Sequence, residues 1–394
     1  MTTNLETPTI PTAEQINQTK QAIDGYIGSL FNHPDRRIGA FPYYKFHEPG
    51  EAIRGTIMLF HGFSGKPHQL WRLADYLFNN GFNFYQVTLV GHSLIPPDKY
   101  WPQIDLKPEY IDPMREKVRK DQVLQKFISN IASSDTGVTQ ELKPFQRVAL
   151  LSRLLIIEPR LLDMKAAIER DDDPDFDRYY ISSHLNYLYD ARERLNELAA
   201  MPGPIYTAGL SVGGAAALAL AADRPDRVKK VVAYAPLLRV YDETKRKYVN
   251  LAGPLDIKEF SWEQGLSFPV GCFTAVDRFG SVVSSADSIK VLQNIPTFFV
   301  LTENEDAADT KFSEQTYKNM GGETKGHCCY IYPESDLVPH PLADPETVSQ
   351  GMTNQFWQSL YQETFRFLTT GKVEYSNMSN LDQSTDLPTV PQMQ

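Results

Sequence analysis

The sequence predicts an α/β protein, a mostly parallel twisted sheet with helices on both faces and an inserted helical cap. Three observations carry that expectation. Short apolar runs end at glycine or proline, helix-length amphipathic or Ala-rich stretches separate them, and residues 94–177 break the alternation. The first runs are GTIMLFHG (55–62) and NFYQVTLVG (83–91), and between them PHQLWRLADYLFNNG has apolar residues at helical spacing and a glycine stop. PIYTAGL (204–210), SVGGAAALALAADRPD and VKKVVAYAPLL (228–238) repeat the pattern. So do PTFFVLT (296–302), KFSEQTYKNMGG and CCYIYP (328–333). Strands this uniformly apolar belong to a sheet covered on both faces.

Composition bounds the rest. Of 394 residues, 42% are hydrophobic and 22% charged, as in globular chains, which excludes collagen-like, coiled-coil and wholly disordered readings. With 39 Lys and Arg against 49 Asp and Glu the net charge is -10, unfavourable for a nucleic-acid partner. Cys272, Cys328 and Cys329 are too few for a disulfide framework, and an adjacent pair rarely bridges without strain. A reducing, cytoplasmic setting is expected. The N-terminal MTTNLETPTIPTAEQ lacks the apolar run of a secretion signal. The greasiest stretch, VALLSRLLIIEPRLLDM, is broken by Ser152, Arg153, Glu158 and Pro159, so no transmembrane segment is expected.

Residues 1–12 read as a disordered tail. Residues 13–93 form the first part of the core, opening with a helix at 13–31 whose Ile16, Ile23, Ile27, Leu30 and Phe31 share a face. Residues 94–177 form the cap, running from LIPPDKYWPQ through a helix at 114–131, with Val123, Leu124, Phe127, Ile128 and Ile131 on one face, to DDDPDFD. Residues 178–371 complete the core with a shorter excursion at 239–290, and a helix at 346–371 closes it on Val348, Met352, Phe356, Leu360 and Leu368. Residues 372–394, rich in Ser, Asn, Asp, Gln and Pro, read as a second disordered tail.

The most specific motif is Gly209-Leu210-Ser211-Val212-Gly213, between an apolar strand and an Ala-rich helix. A serine on such a turn is strained and thrust outward, small residues two before and two after it let the backbones pass, and the helix start offers amides and positive dipole. Ser211 is the candidate nucleophile. The competing reading is a glycine-rich packing turn. Gly91-His92-Ser93 lacks both a small residue at Ile95 and a following helix, so Ser93 reads as structural. Gly62-Phe63-Ser64-Gly65-Lys66 is too short for a phosphate loop and has Pro67 where Ser or Thr belongs. After the first strand it is better suited to turn the Phe63 amide toward a reacting carbonyl, with the Val212 amide as second donor of an oxyanion hole.

A serine hydroxyl needs a base, and the base a carboxylate. Of eight histidines, His33, His47 and His68 precede the nucleophile in loops or a helix start, His61 belongs to the oxyanion loop, and His92 follows a strand. His184 falls in a helix, and His327 sits at the wrong end of the last strand. His340, in the loop leaving that strand, is the candidate base. Asp306 is the candidate acid in Glu303-Asn304-Glu305-Asp306-Ala307-Ala308-Asp309, with Glu303, Glu305, Asp309 and the more distant Asp242 as alternatives.

HGFSGKPHQLWRLADYLFNNGFNFYQVTLVGHS, GLSVGG, TENED and VPHP together resemble the α/β-hydrolase superfamily, and the first segment resembles its carboxylesterase and monoacylglycerol-lipase branches. The likeness covers residues 55–93 and 204–370 and departs in the long insertion between them. It implies an α/β-hydrolase fold, a Ser211, His340, Asp306 triad with Phe63 and Val212 as oxyanion amides, and no metal or organic cofactor. The expected partner is a small-molecule or lipid ester. Leu150, Leu151, Leu154, Leu155, Ile156, Ile157, Leu161 and Leu162 exceed what one helix face buries, so they line an acyl tunnel, touch a lipid surface transiently, or simply bury the cap. A medium or long acyl chain is the preferred substrate. Acyl transfer, thioester cleavage and a non-catalytic binding protein share the same sequence features. Asp173, Asp175 and Asp177 alternate like calcium ligands, but Pro174 and the missing glycine break that motif.

Overall fold

The computed structural model describes residues 8–124, 144–170, 174–255, 259–263 and 266–392. They form two compact units, one of Met1–Trp101, Leu185–Asp242 and Val276–Gln394, the other of Pro102–His184 and Glu243–Ala275. In the first unit, seven strands make one sheet: β1 (Tyr43–Lys45), β2 (Gly55–Phe60), β3 (Phe82–Val87), β4 (Ile205–Leu210), β5 (Val228–Tyr234), β6 (Thr297–Thr302) and β7 (Cys328–Tyr332). Their spatial order is β1-β3-β2-β4-β5-β6-β7, and every pairing except β1 with β3 is parallel.

Packing accounts for the sequence pattern. All residues of β2, β3, β4 and β6 are buried, so these strands are mostly apolar instead of alternating, with Asn83 and Gln86 of β3 as buried polar exceptions. Helix α1 (Ala13–Phe31) starts at a capping box, with Gln15 N–H donating to Thr12 Oγ1 (3.2 Å) and Thr12 N–H to Gln15 Oε1 (2.9 Å). Helix α2 (Trp71–Asn79) turns Leu73, Ala74, Tyr76 and Leu77 inward. Helix α3 (Asn186–Asn196) is followed by α4 (Val212–Asp223), which is buried from Val212 to Ala221 and therefore has no polar face. Helices α5 (Ala286–Leu292), α6 (Thr310–Asn319) and α7 (Trp357–Thr370) complete this mostly parallel α/β architecture. Because β2 and β4–β7 run parallel, the chain leaves all five at one edge.

Three expectations change here. The closing helix begins at Trp357, not near 346: Gln350 (φ 52°) and Gly351 (φ 76°) are left-handed, and Val348 is exposed. The segment after Gly371 is ordered, although its composition suggests a tail. It includes the short helix Tyr375–Met378, buries Met378 and Val390, and is fastened to α7. Gln362 Nε2 donates to the Ser384 carbonyl (3.0 Å), and buried Glu363 accepts from Glu374 N–H (2.7 Å) and Asn377 Nδ2 (2.8 Å). Polar side chains inside the host helix supply this anchorage together with the apolar Met378 and Val390, which join the main core. At the other terminus, Thr9 and Ile53 exchange two backbone hydrogen bonds.

The second unit has its own core of Ile104, Leu106, Ile111, Met114, Ile157, Met164, Ile168 and Phe176, among others. Its helices are Pro108–Lys120, Pro144–Ile157, Leu161–Glu169, Phe176–Tyr179 and Glu243–Leu255. Ile104–Leu106 pairs antiparallel with Tyr180–Ser182, and Glu259–Glu263 with Leu266–Pro269. Ile157 and Leu161 are buried, Leu154 packs on the core, and Ile156 (79%) and Leu162 (50%) are exposed. Phe127, Ile128, Ile131 and Asp173 lie outside the described residues, as do the side chains of Leu150 and Leu151. Asp175 forms an ion pair with Arg178. Among the described residues, no helix is long and apolar enough to cross a membrane.

Candidate active site

Ser211 stands between β4 and α4 with φ 59° and ψ -123°, a conformation an L-residue adopts only under constraint. Its neighbours supply that constraint. Ser211 N–H donates to the Tyr234 carbonyl (2.9 Å), and its own carbonyl accepts from Leu237 N–H (2.9 Å) and Ala215 N–H (3.2 Å). A Cβ on Gly209 would stand 2.1 Å from the Gly213 carbonyl oxygen, and one on Gly213 would stand 2.3 Å and 2.4 Å from the carbonyl oxygens of Phe60 and His61. Only glycine fits either position. The turn brings Val212, the first residue of α4, to a helix start whose amides have no intrahelical acceptor and whose dipole is positive.

The loop leaving β2 reaches the same place, because a Cβ on Gly62 would lie 3.8 Å from Ser211 Cβ. Its conformation is set by His61, which is 1% exposed. Leu89 N–H donates to His61 Nε2 (3.1 Å), so the ring proton resides on Nδ1 and is donated to the Gly62 carbonyl (2.7 Å). Burial holds this imidazole down to about 3, and it stays neutral at physiological pH. Gly65 N–H also donates to the Gly62 carbonyl (3.0 Å). Across a planar trans peptide the next N–H points opposite the carbonyl, so the Phe63 amide turns away from His61. The Phe63 ring meets His92 and Trp101 edge-on, at 5.5 Å and 5.2 Å between centroids.

His340 follows β7, and its ring is fixed by a carboxylate. Nδ1 lies 2.9 Å from both Glu305 oxygens, which leaves Nε2 as the accepting nitrogen when Nδ1 donates. The Glu305 side chain is 3% exposed, and Oε2 also accepts from Ala308 N–H (3.0 Å) and Ala307 N–H (3.4 Å). Strand spacing is about 4.8 Å, so a residue above β7 would lie about 14 Å across the sheet from β4. The loop from Pro333 to His340 shortens that path: Asn304 and Pro339 form a parallel bridge, and Thr302 Oγ1 donates to the Val338 carbonyl (2.5 Å). His340 is thereby drawn back over β6.

The carboxylate at the His340 ring nitrogen is that of Glu305, one of the alternatives to the expected Asp306, whose Oδ2 accepts from Ser349 Oγ at 3.4 Å. Glu303 accepts from Glu334 N–H (2.9 Å), and Asp309 caps α6 through Phe312 N–H (2.9 Å). Asp242 has φ 63° in the loop after β5. Side-chain direction separates these acids: consecutive residues leaving β6 point different ways, and the extra methylene of Glu305 carries its carboxylate to the ring. Ser93 is buried, its hydroxyl donating to the Ala40 carbonyl and accepting from Thr88 Oγ1 (2.8 Å). His92, stacked on Trp101 at 3.7 Å and held well below its ordinary pKa by burial, forms part of the wall behind the loop.

No protein-family model matches the chain, and neither does any curated protein. Several solved structures are similar to it at low identity. A metagenome-derived lipolytic enzyme from the work on LipS and LipT is 15% identical, with a TM-score of 0.44 over 77% of this chain and 90% of its own. A soluble variant of the Saccharomyces cerevisiae monoglyceride lipase is 12% identical, with a TM-score of 0.45 over 87% of this chain and 98% of its own. The Paleococcus ferrophilus monoacylglycerol lipase is 12% identical, with a TM-score of 0.44 over 84% and 99%. The sheet order, the strained Ser211 turn and the His340 loop give this chain the mostly parallel α/β fold that its sequence predicts.

Proposed function

We propose that the protein is a serine hydrolase of carboxylic esters. Ser211 attacks the ester carbonyl, His340 Nε2 takes the hydroxyl proton and returns it to the leaving alcohol, and Glu305 steadies the imidazolium that forms. The amides of Phe63 and Val212 receive the negative charge of the tetrahedral intermediate, each contributing about 3 kcal/mol of transition-state stabilisation. Water then releases the acyl group by the same route. The observation that carries this reading is the strain at Ser211: a left-handed non-glycine residue, 4% exposed, between a buried strand and a helix start needs a reason, and holding a nucleophile beside helix amides is one.

The preferred ester has a medium or long acyl chain. Ile156 and Leu162 remain exposed beside Ile157 and Leu161, so this stretch carries more apolar surface than its own core uses. Ser211→Ala tests the chemistry. With p-nitrophenyl esters of graded acyl length, it should lower kcat by at least about 10,000-fold and abolish fluorophosphonate labelling while the circular dichroism spectrum is unchanged. Retained turnover would remove Ser211 from the reaction, and fastest turnover of acetate would remove the long-chain preference. Addition of competing alcohols reports whether water is the acceptor.

A further inference from the structure

We infer that Gln69 and Arg37 are positioning residues for the oxyanion loop, an inference that rests on the serine-hydrolase reading above. The loop His61–Gly65 has glycines at two of its five positions, so left alone it would sample many backbone states. Its peptide groups are nevertheless held from two sides by side chains outside it. From the turn Pro67–Leu70, Gln69 Oε1 accepts the Gly62 N–H at 2.8 Å. From the segment before β1, the Arg37 guanidinium donates to the carbonyls of Ser64 (2.7 Å), Gly65 (3.0 Å) and His92 (3.5 Å). Arg37 is 5% exposed, and its own N–H donates to the Ser93 carbonyl at 2.6 Å.

The two contacts select one orientation of the loop. Gln69 occupies the Gly62 amide, while His61 and Gly65 occupy the Gly62 carbonyl, so neither peptide flanking Gly62 can rotate without losing a buried hydrogen bond. A flip of the Gly62–Phe63 peptide would present a carbonyl oxygen where an N–H is needed, turning attraction for an oxyanion into repulsion. Arg37 restrains the far end of the loop by gathering carbonyls around one buried cation, which a point-charged lysine cannot copy. Space supports the same reading. A Cβ on Gly65 would stand 2.4 Å from Gln69 Oε1 and one on Gly62 would stand 3.3 Å from it, so both glycines make room for this side chain.

The test is steady-state kinetics of the full chain on a p-nitrophenyl ester, with Gln69→Met, which keeps the shape but removes the acceptor, and Arg37→Lys. Amide exchange at Gly62 is followed in parallel. Gln69→Met should lower kcat at least about 10-fold with KM within about 3-fold, and Gly62 should exchange faster, the pattern expected when only transition-state stabilisation is lost. Arg37→Lys should lower kcat in the same sense. If Arg37→Lys does not fold, Gln69→Met alone decides. Unchanged kcat in a less stable Gln69→Met protein, or a rise in KM alone, would overturn the inference while leaving the hydrolase reading intact. No turnover by the unmodified chain would sink both.

Discussion

Replacing Glu305 by Gln should cripple the proposed ester hydrolysis, whereas Asp306→Asn should scarcely touch it. Both Glu305 oxygens lie 2.9 Å from His340 Nδ1, and the carboxylate is 3% exposed. With charge centres about 4 Å apart and an effective dielectric near 20, the attraction for the imidazolium of the transition state is about 4 kcal/mol. Losing it corresponds to about 1,000-fold in rate. The amide adds a second defect: an NH2 group facing Nδ1 favours the tautomer with the proton on Nε2, which cannot accept from serine, so the loss in kcat should approach about 10,000-fold. Asp306 meets Ser349 instead, so Asp306→Asn should change kcat/KM by less than about 3-fold. The assay is hydrolysis of p-nitrophenyl butyrate, with melting temperatures recorded to separate chemistry from folding. Equal losses in the two variants, or more than a tenth of the activity left in Glu305→Gln, would refute the assignment.

Three further outcomes follow from the packing. Gly213→Ala should destabilise the fold by about 3 kcal/mol, because its Cβ would meet the Phe60 and His61 carbonyls at 2.3 Å and 2.4 Å; an unchanged urea midpoint would contradict the close approach. Glu197, hydrogen-bonded to Tyr85 (2.7 Å) and ion-paired with Arg194, is pushed up to about 7 mainly by burial, so the folded chain holds its proton more tightly than the unfolded chain. Its contribution is favourable below about pH 4 and lost as pH rises to 7, so Glu197→Gln should gain up to about 3 kcal/mol relative to the unmodified chain between pH 4 and 8; a pH-independent difference in melting temperature would exclude this. Removal of residues 372–394 strips buried Glu363 of Glu374 N–H and Asn377 Nδ2, and should lower the melting temperature by about 5 °C or more; an unchanged value would mean the segment contributes nothing.

The sheet was legible because burial on both faces leaves a simple trace. GTIMLF, IYTAGL and TFFVLT are largely apolar runs of strand length, FNFYQV is one interrupted by Asn83 and Gln86, and each is a fully buried strand. Helix α4 was legible from composition, since a helix enclosed on all sides and crossing close to strand backbones favours alanine and glycine. The C-terminal segment misleads for the complementary reason. Its polar, proline-bearing sequence shows no periodic apolar face, its two core residues Met378 and Val390 stand far apart, and its polar anchors, Gln362 and Glu363, belong to another element. Composition reports what a segment can bury, not what backbone hydrogen bonds it receives. The closing helix was misplaced by apolar periodicity that continued through Val348 and Met352, while the backbone reversal at Gln350 and Gly351 overrode it.

The candidate site divides along the same physical line. Ser211, Phe63 and Val212 stand where strand, turn and helix meet, and there the letters constrain geometry: Gly209 and Gly213 cannot be larger, and Gly62 must pass beside Ser211. His340 is fixed less locally, by the Asn304–Pro339 bridge that folds its loop back over the sheet. Between Glu303 and Asp309 no periodicity applies, because an irregular loop assigns each side chain its own direction. Four acids there therefore look alike in sequence. Their contacts distinguish them: Glu303 turns to Glu334 N–H, Asp306 to Ser349, Asp309 to its own helix start, and Glu305 to the imidazole. Glu305 also differs in the support it receives, since two backbone amides hold Oε2, one of the two oxygens that face His340. A carboxylate held by amides keeps its orientation as the imidazole gains and loses charge, which is the property an orienting acid needs.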